Sequence, residues 1–439
     1  MRTRLVNPWF VFAHVVALHA VVLWFIGPGQ DGPALGAPVV EAPTEDPLLT
    51  EQAVAEGALA PAAPAFEVPA LRPGPLDLSR VYADDGHILA DLDHDWTAEL
   101  TTDAALQAAA SRALDRAKVP FGAVVVLDPK SGDVLAMADR YDERHPVAPA
   151  LDPEGPPHLA LRALAPAASV FKMVTAVGLL EAGVSPRRAY PYTSARRRVY
   201  AQHLEAPGPG APTADMGDAL AHSNNSYFAR LADAHLPREA LDALVRRGGL
   251  KRVGPFPRLT DASTAQVPRN ALERARMAAG FWHDRLTPLH AALLASAIAT
   301  DGTMPTPRLV KRLRTPDGRT VDAPQRGPFA TAMAPAHAKA LRGMLAETVA
   351  RGTARRAFSK WPRELRDVKV AGKTGTLAIR EPYTHYTWFV GFAPVDDPQV
   401  AIAVMVGNGE LWWQKAPDVA RVVLEAWFEA RAEHAVATR

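Results

Sequence analysis

The first change in the pattern of hydrophobic and polar positions lies close to the N-terminus. Residues 9–26 contain no Asp, Glu, Lys or Arg. Eighteen residues in a helix would span roughly 27 Å, close to the thickness of the apolar core of a bilayer. Arg2 and Arg4 precede this run, so the positive-inside rule places the rest of the chain outside the cytoplasm. We therefore predict an N-terminal single transmembrane helix within residues 1–27; the alternative is a cleaved signal peptide, whose small-residue site at 34–36 would lie far downstream.

Two segments separate this run from the first globular pattern. Residues 28–76 are rich in Pro, Ala and Gly, a composition that cannot bury a core, and we expect an extended linker. Residues 77–100 are acidic and contain His87 and His94. These side chains could suggest a metal site, but their spacing matches no recognised set of ligands. We expect a short pedestal, formed by a polar loop or a small hairpin, and no metal.

A globular pattern extends over residues 101–435. It opens with apolar residues at helical spacing, and two apolar runs that flank a turn rich in Pro and Gly then predict a β-hairpin. A long, mostly helical region follows to about residue 350. Three strand-like runs and an amphipathic helix complete the pattern, and the ranges of the hairpin, these strands and this helix are 122–127, 134–138, 368–379, 386–392, 400–406 and 418–432.

This order of elements predicts a mixed α/β (α+β) fold. An antiparallel sheet would be covered by helices, and a helical subdomain would be inserted between its second and third strands. The chain is 48% hydrophobic and 22% charged, which is sufficient to fill such a core. The net charge of +2 gives no general argument for nucleic-acid binding. The absence of cysteine excludes disulfides, thiolate metal sites and a cysteine nucleophile.

Ser169 and Lys172 form the first pair with candidate chemistry. They lie three residues apart at the start of an apolar stretch, 173–180, so on a helix they would share one face. A serine hydroxyl needs a base to become a nucleophile, and burial disfavours the charged form of a lysine, which lets it act as that base. A helix N-terminus also favours developing negative charge. In isolation the pattern is weak, because an exposed serine beside a snorkelling lysine is the more common arrangement.

A second candidate lies at Ser223-Asn224-Asn225. Consecutive Ser and Asn residues most often form a turn or a helix cap. In a serine acyltransferase, the hydroxyl of Ser223 could instead relay a proton to the leaving group. The side-chain amide of Asn225 could then orient the substrate backbone.

The third candidate continues the predicted strand 368–379, at Lys373-Thr374-Gly375-Thr376. The structural alternative is a strand end in which glycine allows close packing. In a binding site, Lys373 would supply a cation for a carboxylate, and the two threonines would supply hydroxyl donors. Gly375 would let a ligand approach the backbone. The main-chain N–H groups of Thr376 and Ser169 could together form an oxyanion hole.

With these motifs in place, residues 98–430 resemble the penicillin-binding transpeptidase family. Ser-x-x-Lys, Ser-x-Asn and Lys-Thr-Gly together are a signature of penicillin-binding proteins and class A β-lactamases. The gap of 150 residues between Ser223 and Lys373 is similar to that of the transpeptidases and longer than in class A or D β-lactamases. Further segments that resemble the family are 101–107, 122–137, 287–289, 299–302, 352–354 and 388–394.

The resemblance implies a penicillin-binding/β-lactamase-like transpeptidase fold and a monofunctional, class B-like D,D-transpeptidase. Such an enzyme cross-links peptidoglycan stem peptides in the periplasm through an acyl-serine, without a cofactor, and β-lactams acylate it covalently. Ser169 would be the nucleophile and Lys172 its base. The other roles implied are a second active-site pair, Ser223 and Asn225, and a substrate-binding strand, Lys373, Thr374, Gly375 and Thr376.

Two alternatives to transpeptidation stay open. The same residues with water as acceptor would make a D,D-carboxypeptidase, an endopeptidase or a β-lactamase. A scaffold with this fold and a dispensable activity is the other alternative. The roughly 70 residues between the predicted anchor and the domain are too few for a glycosyltransferase domain. We therefore expect a partner, a membrane-embedded glycosyltransferase that makes the glycan strands.

Some features depart from the family pattern or carry weaker signals. Pro166-Ala167-Ala168 stands where the family often has Pro-Gly, and 280–283 stands where many members have Gly-Gln-Gly. The arginine run 196–198 could contact anionic wall polymers, although a solvated loop is the simpler interpretation. Three further sites are interpreted as structural: His283, His385 and the pair Trp412-Trp413.

Overall fold

The computed structural model describes residues 76, 78–151, 158–194, 198–252, 256, 260–380, 383–410 and 414–437. The predicted anchor in residues 1–27 and all of the linker 28–76 except Leu76 lie outside these residues. No helix within the described part of the chain is both long enough and apolar enough to cross a bilayer.

The strands and helices follow one another in an order close to that predicted. The strands are β1 (Val81–Asp84), β2 (His87–Asp91), β3 (Thr97–Leu100), β4 (Phe121–Leu127), β5 (Val134–Tyr141), β6 (Tyr190–Pro191), β7 (Thr213–Ala214), β8 (Thr264–Ala265), β9 (Asp284–Arg285), β10 (Thr303–Met304), β11 (Val310–Arg314), β12 (Thr320–Asp322), β13 (Ala330–Thr331), β14 (Ala371–Arg380), β15 (Tyr383–Ala393) and β16 (Val400–Asn408). The helices are α1 (Ala104–Ala117), α2 (Lys172–Glu181), α3 (Met216–Ala221), α4 (Asn225–His235), α5 (Arg238–Arg247), α6 (Ala271–Ala278), α7 (Pro288–Ala299), α8 (Pro335–Ala350), α9 (Arg355–Phe358) and α10 (Ala416–Ala437).

The main sheet has the strand order β14-β15-β16-β4-β5, and its pairs are antiparallel. Every residue of β4 and of β16 is buried, because helices cover both faces of the sheet. Helices α1 and α10 pack on one face, and α7 packs on the other. The predicted antiparallel sheet with a long insertion between its second and third strands is therefore confirmed.

A second sheet combines the segment before the main sheet with part of the insertion that was expected to be mostly helical. Its order is β1-β2-β3-β11-β12, and β3 pairs with β11 from more than 200 residues later in the chain. The expectation was wrong for residues 303–331, since these strands are short and only partly buried, which leaves little hydrophobic periodicity. The predicted pedestal segment 77–100 supplies β1, β2 and β3.

The helices of the insertion pack against one another and, through α7 and α8, against the main sheet. Helix α7 is buried on all sides, and α2 packs against α4, α5 and α8. Strand β14 lies at the end of the strand order, and α8 and the turn before α2 both contact it. The start of α2, the junction between α3 and α4, and β14 therefore meet at one place.

Candidate active site

Ser169 lies in a short 3-10 turn, Ala168–Phe171, that runs directly into α2. Ala168 has a positive φ of 50°, so the chain bends sharply just before the serine. The turn places Ser169 Oγ 2.8 Å from Lys172 Nζ, the contact expected for a nucleophile and its base. Ser169 is half-buried, while its neighbours Ala168 and Val170 are buried, so the serine is the accessible residue of this turn.

Lys172 is fully buried, and polar oxygens surround its amine. Besides Ser169, Nζ contacts Asn225 Oδ1 at 2.8 Å and the carbonyl oxygen of Ala279 at 2.5 Å. Burial lowers the pKa of Lys172 well below its usual value, and the positive charge of Lys373 lowers it further. The lowered pKa favours the neutral amine, and a neutral amine can accept the proton of the Ser169 hydroxyl.

The second motif lies where α3 ends and α4 begins. Asn225 is the first residue of α4, and its side-chain oxygen is one of the oxygens around the Lys172 amine. Asn224 is the N-cap of α4 and accepts a hydrogen bond from the N–H of Tyr227. Ser223 is half-buried in the bend between the helices, with a φ of 55°. Ser223-Asn224-Asn225 therefore contains a helix cap, as the structural alternative expected, and it also brings Asn225 to Lys172.

The third motif lies on β14, beside the turn Ala168–Phe171, which holds the candidate nucleophile Ser169 and is called the nucleophile turn below. Thr374 is half-buried and Thr376 is exposed, and Thr374 Oγ1 is 2.5 Å from Thr353 Oγ1. A Cβ added at Gly375 would lie 3.2 Å from the carbonyl oxygen of Ala167, so the strand and the turn are in close contact. The two threonines alternate with Gly375, so they lie on the same face of the strand.

Lys373 differs from the sequence-based picture of an open cation for a carboxylate. Its side chain is fully buried, and Nζ donates a hydrogen bond to the carbonyl oxygen of Thr374 at 3.0 Å. Burial lowers the pKa of Lys373 to about 7, so this charge is itself sensitive to pH. In the structure Lys373 therefore lies beneath the strand, where its positive charge lowers the pKa of Lys172.

The segment before Ser169 is fixed by hydrogen bonds from two neighbouring strands. The Trp388 indole N–H on β15 donates to the carbonyl oxygen of Pro166 at 3.0 Å. On the other side, Asp284 Oδ1 accepts a hydrogen bond from the N–H of Ala167 at 2.7 Å. These contacts hold the chain on both sides, two and three residues before the nucleophile.

Asp284 is an unusual support for this turn, because it is a buried acid without a cationic partner among the described residues. Its side chain is 6% exposed, and Oδ2 is buried with no hydrogen-bond partner in the described structure. Burial raises the pKa of Asp284 to about 8, although the hydrogen bond from Ala167 opposes that shift. The acid is therefore mostly protonated at neutral pH.

Gly280 lies directly beneath the nucleophile turn. It has a φ of 83°, and a Cβ at this position would come within 2.3 Å of the carbonyl oxygen of Ala168 and 2.8 Å of Ser169 Cα. Both atoms belong to the backbone, so a side chain could be accommodated only if the turn moved. Gly280 is the first residue of the segment 280–283, where the sequence departs from the family pattern.

The sequence profile of the penicillin binding protein transpeptidase domain matches residues 122–423. The chain belongs to this family. A relative from Mycolicibacterium smegmatis, named peptidoglycan D,D-transpeptidase PbpA, is 30% identical over 319 residues, which are 66% of this chain and 62% of the relative. Stage V sporulation protein D of Bacillus subtilis is 27% identical over 345 residues, 71% of this chain and 49% of that protein. The chain thus spans about half to 62% of the length of these relatives.

Solved structures have the same fold. The D,D-transpeptidase domain of a peptidoglycan glycosyltransferase from Eggerthella lenta superimposes with a TM-score of 0.63 at 26% identity, over 76% of this chain and 82% of that chain. PBPA from Mycobacterium tuberculosis gives a TM-score of 0.61 at 24% identity, over 75% of this chain and 81% of that chain.

Two residues that support the chain before the nucleophile turn could not be found from the sequence as functional residues. Trp388 lies in the segment 388–394 that resembles the family, but nothing in its neighbours indicates that it reaches Pro166. Asp284 precedes the mid-domain helix without any periodic or motif signal. His283, interpreted as structural, lies with Nε2 2.9 Å from Glu273 Oε2. Trp412-Trp413 and residues 196–197 lie outside the described residues.

Proposed function

We propose that the chain is a peptidoglycan D,D-transpeptidase that works through an acyl-serine at Ser169. The observation that carries the proposal is the 2.8 Å contact between Ser169 Oγ and the amine of Lys172, whose pKa is lowered by burial. A hydroxyl beside a neutral, buried amine is a nucleophile prepared for acyl transfer. The names of the relatives are consistent with this chemistry.

In the acylation step, Lys172 accepts the proton of Ser169 Oγ while that oxygen attacks the carbonyl of the penultimate D-alanine. The main-chain N–H groups of Ser169 and Thr376 would stabilise the oxyanion. The terminal D-alanine leaves when the amide C–N bond breaks, and its nitrogen takes the proton that Lys172 had accepted, relayed through the Ser223 hydroxyl. The terminal carboxylate would lie at Thr374 and Thr376, above the buried Lys373.

In the second step, an amine from a neighbouring strand attacks the acyl-serine. The amine gives up a proton to the neutral Lys172 as the new amide bond forms; the serine ester bond breaks, and Lys172 passes that proton to Ser169 Oγ. A β-lactam would enter the same first step. Its ring opens without releasing a separate leaving group, so the acyl-serine would persist.

The test is intact-mass spectrometry of the full-length chain with benzylpenicillin, beside Ser169→Ala. We expect a stable penicilloyl adduct on the wild type and no adduct on the variant. No adduct with intact drug would contradict the proposal and favour the scaffold. No adduct with hydrolysed drug would indicate the water-dependent alternative, a β-lactamase.

We also propose that residues 1–27 anchor the chain in the cytoplasmic membrane, with residues 101–435 in the periplasm. The support is the charge-free run 9–26 preceded by Arg2 and Arg4. The expected partner is a membrane-embedded glycosyltransferase that supplies glycan strands. In-cell crosslinking and co-purification of the tagged full-length chain should recover such a polymerase, and repeated recovery of none would contradict this partnership.

A further inference from the structure

A cleft of about 790 Å³ opens beside the nucleophile turn, on the far side of Thr376. It begins at Pro166, three residues before Ser169, and one wall is the outer part of β14, residues 377–380. Three exposed arginines line it: Arg198, Arg285 and Arg380. We call this space the arginine cleft, and none of the residues assigned above to nucleophile, base or substrate strand lines it.

The arginine cleft carries three guanidinium groups that no described acidic side chain pairs with directly; the nearby Glu273 contacts Trp282 and His283 of the lining, and its closest contact there is with His283 Nε2, at 2.9 Å. None of its three arginines forms an ion pair with a described acidic residue; Arg285 Nη1 donates only to the carbonyl oxygen of Leu164, at 2.8 Å. Asp284 is the one acidic residue among those described as lining the cleft, and burial raises its pKa to about 8. A cleft with uncompensated guanidinium groups attracts carboxylates, for which the arginine fork is well suited.

Aromatic surface accompanies this charge. Trp282 and Tyr383 both line the cleft, and their side chains are 45% and 41% exposed. Aromatic side chains beside a few polar groups that can fix an orientation are typical of ligand pockets, and the Trp282 indole N–H is 3.4 Å from Glu273 Oε2, which leaves its ring face to the cleft. The combination fits an extended peptide with acidic groups better than a small inorganic anion.

The position of the cleft relative to Ser169 indicates which part of a substrate would reach it. Strand β14 is the edge of the main sheet, so an extended peptide can add to it as a further strand. If the terminal carboxylate lies at Thr374 and Thr376, the residues before the scissile bond run towards Arg380. Four strand residues from Thr376 to Arg380 cover roughly 13 Å, the length of three or four substrate residues.

We propose that the arginine cleft is a specificity subsite that binds free carboxylates of the donor stem peptide, on the residues that precede the scissile D-alanyl-D-alanine. This inference rests on the proposed function, and it adds the selection of acidic over amidated donors. The recognition is by charge-assisted hydrogen bonds from Arg198 and Arg380, with Trp282 and Tyr383 packing on the aliphatic parts of the peptide.

The test compares two synthetic thioester analogues of the donor that differ only in carrying carboxylates or carboxamides upstream of the reactive carbonyl. The full-length chain is compared with Arg198→Gln/Arg380→Gln. Arg285 is retained because it holds the carbonyl of Leu164. The matched control is Arg314→Gln/Arg366→Gln, which removes two exposed arginines outside the cleft.

We expect the wild type and the control to prefer the carboxylate analogue by roughly fivefold in kcat/KM at low salt, mainly through KM, with the preference falling as salt is added. In the cleft variant the ratio should approach one. An unchanged ratio in that variant, or no preference in the wild type, would overturn the proposal.

Two further measurements separate this outcome from a failure of the proposed function. Acylation of the cleft variant by benzylpenicillin should stay within about twofold of the wild type, because that drug has no side-chain carboxylate to place in the cleft. Calorimetric binding of the same two analogues to Ser169→Ala needs no chemistry. If the wild type is not acylated but Ser169→Ala still binds the carboxylate analogue more tightly through these arginines, the proposed acyl-transfer function is wrong and the proposed carboxylate subsite is supported.

Discussion

At the scale of single residues, burial determines the chemistry of the site. Lys172 and Lys373 are both fully enclosed, and burial lowers the pKa of each, whereas burial raises the pKa of Asp284. The three shifts have one cause, because a charge loses its hydration inside a protein. Each of these groups is closer to neutrality than its residue type suggests, and for Lys172 that is the state needed in a base.

Lys172→Ala should lower the second-order rate of acylation by benzylpenicillin by about 10²–10⁴-fold, because the hydroxyl of Ser169 loses its base. In the wild type, the rate should rise with pH as Lys172 deprotonates, from below its usual pKa. Stopped-flow competition with a fluorescent penicillin over pH 5–9 measures the acylation rate of the variant and the pH dependence of the wild-type rate. Lys130→Ala, which removes an exposed lysine, is the control; equal rates for Lys172→Ala and wild type would contradict the role of base.

Asp284→Asn should make the protein more stable at neutral and alkaline pH. Because the pKa of Asp284 is raised from 3.8 to about 8, the folded state binds the extra proton, so stability falls as pH rises from about 4 to about 8. Asn keeps an acceptor for the Ala167 N–H without this titration. The advantage over wild type should grow with pH to a few kcal/mol, on the order implied by the shift.

Urea unfolding at pH 5, 6.5 and 8 measures this advantage. The control is Asp301→Asn, where the side chain is 84% exposed and no buried charge is removed. An advantage of Asp284→Asn that is the same at all three pH values would be evidence against the raised pKa.

At the scale of elements, the nucleophile turn depends on neighbours that come from distant parts of the chain. The turn before α2 contacts β14, and Pro166 and Ala167 are held from β15 and β9. Gly280, after α6, fills the space beneath it. The geometry of Ser169 is therefore a property of four elements, not of the Ser-x-x-Lys motif alone.

Gly280→Ala should displace the turn and slow acylation at least tenfold, because the new Cβ would meet backbone atoms of Ala168 and Ser169. Gly183→Ala is a matched control, since Gly183 also has a positive φ, 78°, but a Cβ there would have no neighbour within 4 Å. Both variants bear the cost of the backbone conformation, of order 1–3 kcal/mol. Thermal denaturation and the acylation rate are measured for both variants, and only Gly280→Ala should slow acylation more than its loss of stability explains. If the two variants lose the same amount of stability and of acylation rate, the contact between Gly280 and the nucleophile turn is not needed for the reaction.

At the scale of the whole molecule, the N-terminal segment and the insertion form one sheet. Strand β3 pairs with β11, and Thr101 Oγ1 lies 2.8 Å from the carbonyl oxygen of Arg308 and 3.0 Å from that of Val134. Arg308 in turn forms two hydrogen bonds with Asp133, at 2.6 and 2.9 Å. These contacts connect the second sheet to the hairpin of the main sheet.

Thr101→Val should lower the free energy of unfolding by about 1–2 kcal/mol, because the carbonyl groups near the substituted hydroxyl lose a donor in a partly buried site. Thr320→Val, at an exposed position on β12, should change it by less than about 0.5 kcal/mol. Calorimetry should show one transition for each protein. A separate early transition in Thr101→Val would indicate that the second sheet unfolds independently.

Much of the fold could be predicted because its signals are local. The apolar runs of β4, β5, β14, β15 and β16 are longer than their turns, and the observed strand bounds differ from the predicted ones by only a few residues; β14 begins three residues later than predicted. The strands β11 and β12 could not be predicted, since a short, half-exposed strand is specified by its partner more than by its own pattern. Of the site, the motifs were visible in the sequence, but Asp284, Trp388 and the cleft were not.

The sequence by itself determined the spacing of Ser169 and Lys172, the helix cap at Asn224, and the alternation of Thr374 and Thr376, because each depends on residues that are near neighbours in the chain. Only the tertiary structure decided that Asn225 reaches Lys172, that Lys373 is enclosed beneath its strand, and that three separate arginines share one cleft. The physical reason is that the pKa of a group depends on its burial, and the partner of a strand depends on long-range contacts. The contact between Lys172 and Asn225 and the pairing of β3 with β11 each join residues more than 50 positions apart in the chain.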